Sequence, residues 1–347
     1  MQDRFFATIE RYMLPMEKLD RVIDSSYFLR KNLSFAFAQG YCHPSGGFFG
    51  KLINFHDTNG ALDIFGRRYT NTTKKLVNGN LELLPIDRQL ALHYLAEPAL
   101  RNREGIPPFG DYHVRFSLDD CVGLFEHRHS LRVAMELHPW LAPKIEKLAA
   151  FLGLPLERLG VTGSLAYGRM EDEHEDIDLA IHASVEEHRA ITEKIDAWHR
   201  DPAHRVFEFG RHWPLRFYYD GTLICPFFIY GRLEEAPLAD FRMEVVKEDA
   251  AFRGRVSDDR HAIFLPVFAR LEGVVLDGEP SGELPLIVYD SSVRGEYRRG
   301  DRLEGRGRLV TIRTRADEYR AILVTNGIAI KKARGGVAAE ARACAGA

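Results

Sequence analysis

The chain has 347 residues, with 47 Lys and Arg against 50 Asp and Glu, long enough for about two or three domains with a substantial core and without a strong overall electrostatic field. Four cysteines, Cys42, Cys121, Cys225 and Cys344, lack paired spacing, which argues against a disulfide framework or a cysteine zinc site and for a reducing cytoplasm. Charges at Asp3, Arg4 and Glu10 break any secretory-signal core and no stretch reaches membrane-spanning length, so a soluble cytoplasmic protein with no membrane partner is expected.

In residues 25–84 aromatic and β-branched residues alternate with glycines and turn formers, which predicts a β-rich unit. Asn59-Gly60 predicts a hairpin between strands at 49–55 and 61–65. The segment His43-Pro44-Ser45-Gly46-Gly47 reads as a turn or an anion-binding loop, with Lys51, Arg67, Arg68, Lys74 and Lys75 as candidates to line a groove. Helices are expected over 85–94 and 118–136, separated by the Pro107-Pro108 break. Glu126, His127 and His129 lie close in sequence, but a helical setting separates the two histidines and disfavours zinc.

The stretch 118–232 then reads as alternating helices and strands. An amphipathic helix at 141–152 precedes a short buried strand at 159–162. Helical turns are expected over 165–169, a strand at Asp176-Ile177-Asp178 and a helix over 186–200. Strands at 215–219 and 223–230 are joined by an Asp220-Gly221 turn. A mixed sheet with helices on one face is the compact solution. Beyond Pro237, residues 243–249 and 262–276 suggest a connector and short strands, with breaks at 280–285, and 287–330 reads as about four or five strands. Residues 294–334 carry twelve Lys or Arg against five Asp or Glu, a local excess that suits a phosphate backbone, with Tyr297 and Tyr319 as stacking candidates. Alternating Arg and Glu on strands also reads as a solvated barrel exterior. The boundaries expected are 1–117, 118–235 and 236–335, with a flexible tail at 336–347.

The chemistry concentrates in residues 161–181, VTGSLAYGRMEDEHEDIDLAI. Strand side chains alternate faces, so Asp176 and Asp178 point one way while Ile177, Leu179 and Ile181 point into the sheet. Paired carboxylates form a hard-oxygen site that suits Mg2+ or Mn2+ bound together with substrate phosphates. Gly163 permits close backbone approach, and free N–H groups, the helix dipole and the Ser164 hydroxyl would face an anion. Phosphoryl-type transfer demands mainly positioning and charge neutralisation. The acidic run Glu171, Asp172, Glu173 and Glu175 also reads as a plain solvated turn.

On Gly163, Ser164, Asp176 and Asp178 the chain resembles the DNA polymerase beta nucleotidyltransferase superfamily, whose signature is a hydrophobic residue, Gly, Gly or Ser, a gap, then Asp-hydrophobic-Asp. GYCHPSGGFFGKL at 40–52 and VRGEYRRGDRLEGRGRL at 293–309 are similar to segments that flank the core in a group of predicted nucleotidyltransferases known mostly from archaeal genomes. The resemblance implies an α+β fold: a polymerase-beta-like core flanked by a β-rich amino-terminal domain and a small carboxy-terminal OB-like barrel. It also implies that Asp176 and Asp178 hold Mg2+ or Mn2+ and that Gly163 and Ser164 bind the phosphates of a nucleoside triphosphate. An NMP would pass to an acceptor hydroxyl with release of pyrophosphate; the acceptor stays open, RNA or DNA bound through the basic carboxy-terminal domain being one candidate.

The family commonly places a third carboxylate on a later strand. The matching stretch here, TLICPFFIY at 222–230, has no acid. Cys225 or Phe227 stands in its place, and Pro226 suggests an edge strand or a bulge. Glu208, in VFEFG, is the candidate substitute. Two alternatives stay open: a degenerate transferase that binds nucleotide or nucleic acid without turnover, and an enzyme that moves AMP onto a protein.

Overall fold

The computed structural model describes residues 4–77, 80–170 and 176–333. The acidic run Glu171, Asp172, Glu173 and Glu175, the tail expected at 336–347 and the Lys75 side chain lie outside what it describes. Among the described residues the fold is mixed α+β with several sheets, and the chain divides into two compact units, Met1–Arg242 and Met243–Ala347.

The first unit opens with α1 (Arg4–Tyr12), whose Phe5, Ile9 and Tyr12 fall on one face and are buried. An antiparallel sheet follows, built from β1 (Leu14–Pro15), β2 (Tyr27–Arg30), β3 (Phe35–Ala38), β4 (Gly47–His56), β5 (Leu62–Ile64) and β6 (Arg67–Asn71). β7 (Lys74–Val77) and β8 (Asn80–Leu83) form a separate pair, and α2 (Ile86–Ala96) leads to β9 (Val114–Ser117) and β10 (Cys121–Phe125). The strand order is β1-β10-β2-β3-β4-β6-β5, with β9 also on β4. Phe28, Phe48 and Phe116 centre its apolar cluster, with the Phe28 and Phe48 rings stacked 4.6 Å apart.

Asn59-Gly60 does not form the expected hairpin. β4 pairs with β6 through His56↔Tyr69, and β5 turns into β6 at Phe65-Gly66, where φ is 51° and 89°. Asp57 organises the earlier turn. Its carboxylate accepts from Asn59 N and Thr70 Oγ1, and its carbonyl accepts from Gly60 N. Gly60 is needed because the chain crosses β6 there: a Cβ would sit 2.8 Å from Thr70 N.

The single helix expected over 118–136 is also corrected. It is a 3-10 turn, the strand β10 and then α3 (His127–Leu137), capped by the Glu126 carboxylate on His129 N. β10 sits between β1 and β2, and Gly123 packs under Met13, so sheet pairing overrides the helical pattern of these residues.

The second sheet of this unit comprises β11 (Leu159–Val161), β12 (Ile177–Ala183), β13 (Arg205–Glu208), β14 (Arg211–Tyr219) and β15 (Thr222–Tyr230), in the order β11-β12-β15-β14-β13. β12 and β15 run parallel and the other pairs antiparallel. α4 (Leu141–Leu152) ends at left-handed Gly153, and α5 (Val185–Trp198) starts with a Ser184–Glu187 capping box. Both helices cover the face bearing Ile177, Leu179 and Ile181: the Phe151 ring lies 5.8 Å from Phe217 and the His188 ring 5.0 Å from Phe228. Asp220-Gly221 is the two-residue turn expected, with φ of 48° and 74°. β15, however, is an inner strand. Pro226 sits opposite Leu179 on β12, and the β14 ladder ends at Phe217↔Ile224, so no bond on that side requires the missing N–H.

The second unit holds β16 (Arg242–His261), β17 (Val267–Leu276), β18 (Glu279–Val288), β19 (Arg302–Arg313), β20 (Glu318–Val324) and β21 (Lys331–Ala333). Their order is β16-β17-β18-β20-β19-β21; β16 also pairs with β19, and β18 runs parallel to β20. The connector expected at 243–249 is the first part of the 20-residue β16. Charge hid it: Glu244, Glu248 and Asp249 form ion pairs with Arg313, Arg308 and Arg306 of β19. The breaks expected at 280–285 lie within β18, where left-handed Gly282 (φ 73°), with left-handed Gly273 (φ 57°) on β17, accompanies the register shifts of the β17–β18 pair. Tyr297 is 2% exposed and its hydroxyl donates to Gly327 O at 3.0 Å, so it belongs to the core and offers no stacking surface. No helix of the described residues is long and apolar enough to cross a membrane.

Candidate functional site

β11 runs into Thr162, whose N–H donates to Asp178 O at 2.9 Å and whose hydroxyl donates to Ser25 O at 2.7 Å. Next comes Gly163, at φ 65°. A Cβ there would collide with the Asp178 carboxylate, 2.8 Å from its Cγ. The glycine of the turn and the second aspartate of the motif are therefore packed together.

The residues that follow form a five-residue 3-10 turn, Gly163–Tyr167, in place of the α-helical turns expected over 165–169. Left-handed Gly168 closes it beneath Tyr12: a Cβ at Gly168 would sit 2.7 Å from Tyr12 Cζ. One such turn carries little macrodipole, so phosphate binding would rest on backbone N–H groups and on Ser164, half-buried within it. Tyr167 anchors the turn, its ring 4.5 Å from Phe35 and its hydroxyl accepting from Asn54 Nδ2 at 3.3 Å.

Asp176 is exposed just before β12, and Asp178 is half-buried within it. The β12–β15 register sets Asp178 opposite Cys225. Ligand atoms of Asp176, Asp178 and Cys225 all lie within 4.8 Å of one another, with Cys225 Sγ 3.9 Å from Asp176 Oδ2. Cys225 thus occupies the place where a third acid is expected. Burial, and then the Asp178 carboxylate, push its pKa well above the usual range, so it is a thiol at neutral pH.

Glu208 does not join the two aspartates. It lies on β13, with β14 and β15 between it and β12, and it forms an ion pair with Arg216 at 2.5 Å. Arg216 precedes Phe217, the last β14 residue paired with β15, and so lies on the opposite face from it, the face that carries Cys225 and Asp178. The guanidinium also lies 4.0 Å from the Trp213 ring centroid, and Trp213 Nε1 donates to Glu208 O at 3.1 Å. Burial acts to lower the Arg216 pKa, but the Asp178 and Glu208 carboxylates act against it and the net shift is upward. Arg216 therefore stays charged at the acidic centre. Sequence reasoning missed this residue, although its signal was there: Arg216 alternates with buried Leu215 and Phe217 and so must face away from the helix-covered side.

Two further buried groups border the site. Burial, with Tyr167 and Asp178 contributing, raises the Tyr27 pKa well above its ordinary value, so its phenol stays protonated. His127 Nε2 donates to Ser25 O at 2.9 Å, which leaves its Nδ1 to accept from His182 Nε2 at 3.2 Å. His129 instead approaches Arg11 O at 3.2 Å, so the FEHRHS histidines diverge as expected for a helix start. In the 43–47 segment both His43 nitrogens serve the backbone, Nδ1 accepting from Phe49 N and Nε2 donating to Gly40 O, which makes it a structural turn. Lys51 donates to Gln89 Oε1, and Arg67 lies over the rings of Phe5 and Phe6.

The hard oxygens of Asp176 and Asp178 fit one divalent cation of the Mg2+ or Mn2+ type. A soft sulfur at the third position, with a guanidinium beside it, does not fit the three-acid set of a two-metal centre. No protein-family model matches the chain, and neither a curated protein nor a solved structure is significantly similar to it.

Proposed function

We propose that the chain is a metal-dependent nucleotidyltransferase that moves an NMP from a nucleoside triphosphate to an acceptor hydroxyl. The supporting observation is the packing of Gly163 against Asp178, with Asp176 on the same side of the sheet. In the reaction the acceptor oxygen bonds to the α-phosphorus, the bond to the bridging oxygen of pyrophosphate breaks, and the hydroxyl proton leaves to water. Asp176 and Asp178 would hold Mg2+ or Mn2+, which would supply neutralisation of phosphate charge and activation of the hydroxyl. Gly163 and Ser164 position the phosphates, and the buried neighbours Tyr27 and Tyr167 restrict water on one side.

The thiol of Cys225 favours one second reading: a degenerate transferase that binds nucleotide without turnover. For the carboxy-terminal unit we propose an OB-like barrel. Its support is the β16–β19 pairing, which joins the ends of the β16-β17-β18-β20-β19 series, together with the parallel β18–β20 pair. Nucleic-acid contact through this unit has less support, since Tyr297 is buried and Arg306, Arg308 and Arg313 are paired with acids. The test is incubation with each α-labelled triphosphate, Mg2+ or Mn2+, and separate RNA, DNA and protein acceptors. Label on an acceptor, lost in Asp176→Ala/Asp178→Ala, supports transfer. Nucleotide binding without label on any acceptor supports the binding module, and label on protein alone identifies protein AMP transfer.

A further inference from the structure

We propose that the centre takes a single divalent cation at Asp176 and Asp178, and that the Arg216 guanidinium fills the place of a second cation against the phosphates of the same triphosphate. The inference deepens the nucleotidyl-transfer reading and rests on it.

Three observations fix Arg216 where such a role needs it. Glu208 holds it through an ion pair, Trp213 stacks beneath it, and it lies on β14 on the face that also carries Cys225 of the adjacent β15 and Asp178 of β12. Its side chain is 24% exposed, so it keeps access to solvent while held in place. A planar guanidinium presents a donor fork that matches two phosphate oxygens, and it needs no ligands of its own. The third position offers sulfur, the nearby Glu208 is engaged by Arg216, and the guanidinium itself repels another cation. Glu208, which could not serve as a third metal ligand, instead orients the cation that makes such a ligand unnecessary.

The test is a Mn2+ titration of the full chain followed by electron paramagnetic resonance, with and without a non-hydrolysable ATP analogue. One Mn2+ per chain is expected, without the exchange coupling of a close metal pair, and Asp178→Asn should abolish it. Arg216→Gln should weaken analogue binding by about tenfold while tightening Mn2+ binding in the absence of nucleotide, because a repelling charge is gone. Arg216→Lys, which keeps the charge without the fork, should retain wild-type Mn2+ affinity and lose part of the analogue affinity. That variant carries the test if the glutamine form does not fold. Two coupled Mn2+ ions in the wild type, no Mn2+ at the aspartates, or parallel loss of metal and analogue in Arg216→Gln would overturn the inference. A single Mn2+ with opposite responses in Arg216→Gln but no transfer of label would refute the nucleotidyltransferase reading and leave the cation arrangement standing.

Discussion

Gly163 and Asp178 share one space: the position of a Cβ on Gly163 is taken by the Asp178 carboxylate, and Gly163 holds a φ of 65°. Gly163→Ala must both strain the backbone and displace the carboxylate. We expect a loss of stability above about 1 kcal/mol and a fall in Mn2+ affinity of about tenfold or more. Urea unfolding and a Mn2+ titration measure the two effects. Wild-type metal affinity in this variant would show that the contact does not position Asp178.

Arg30, 5% exposed in its side chain, is gripped by both carboxylate oxygens of Glu97 and lies 5.0 Å from the Phe116 centroid. Its other acid, Asp120, is 3.7 Å away and 56% exposed. Removing one partner of a buried pair leaves an uncompensated charge, so Glu97→Ala should destabilise the first unit by about 3 kcal/mol. A shift in the denaturation midpoint equivalent to less than about 1 kcal/mol would place this pair in the class of surface salt bridges.

Burial pushes the pKa values of His43, His93 and His188 down to about 4, and that of His113 to about 3, from an ordinary 6.5. Between those limits the unfolded chain binds more protons than the folded one, so stability rises with pH and is lost as pH falls from about 6.5 toward 4. Each histidine contributes on the order of 1 kcal/mol per pH unit in that window. Urea midpoints at pH 7.5 and pH 5 should therefore differ clearly, with the acid sample less stable. An equal or higher midpoint at pH 5 would contradict the buried neutral assignment.

How much of this was legible in the sequence depended on whether the deciding interaction was local. The Ser184–Glu187 capping box, the Asp220-Gly221 turn and α4 are set by neighbours in the chain, and the elements around them fall where periodicity puts them. Phe65-Gly66 and Phe209-Gly210 also form turns with both φ values positive, yet a phenylalanine at φ near 50° gives no composition signal, whereas Asn59-Gly60 gives a strong one and does not turn that way. β10 and β16 were hidden for opposite reasons. The apolar residues of β10 suit a helix as well as a strand, and the charges of β16 find their partners some sixty residues away on β19. At the site, Asp176, Asp178, Gly163 and Ser164 could be read from spacing. Arg216 and the direct opposition of Asp178 and Cys225 depend on strand order, which spacing does not encode.

The ion pairs between β16 and β19 lead to a prediction about nucleic acid. Arg306, Arg308 and Arg313 are matched by Asp249, Glu248 and Glu244, so little positive charge is left over to release counterions from a polynucleotide. Replacing the three arginines and their three acidic partners together by alanine, a charge-neutral change, should leave affinity for a labelled single-stranded RNA within about twofold, with the salt dependence unchanged. Fluorescence polarisation across a salt series reads both. A tenfold loss with a shallower salt slope would restore this unit as the nucleic-acid surface.

The central claim is that Asp176, Asp178 and Gly163 serve attack on an α-phosphorus. It is tested most directly by presenting the same triphosphate labelled either at the α- or at the γ-phosphate, with Mn2+ and mixed RNA, DNA and protein acceptors. We expect the α-label on an acceptor and the γ-label in free pyrophosphate, with both signals absent in Asp176→Asn/Asp178→Asn. The γ-label on an acceptor, or equal signals from wild type and the double variant, would contradict it.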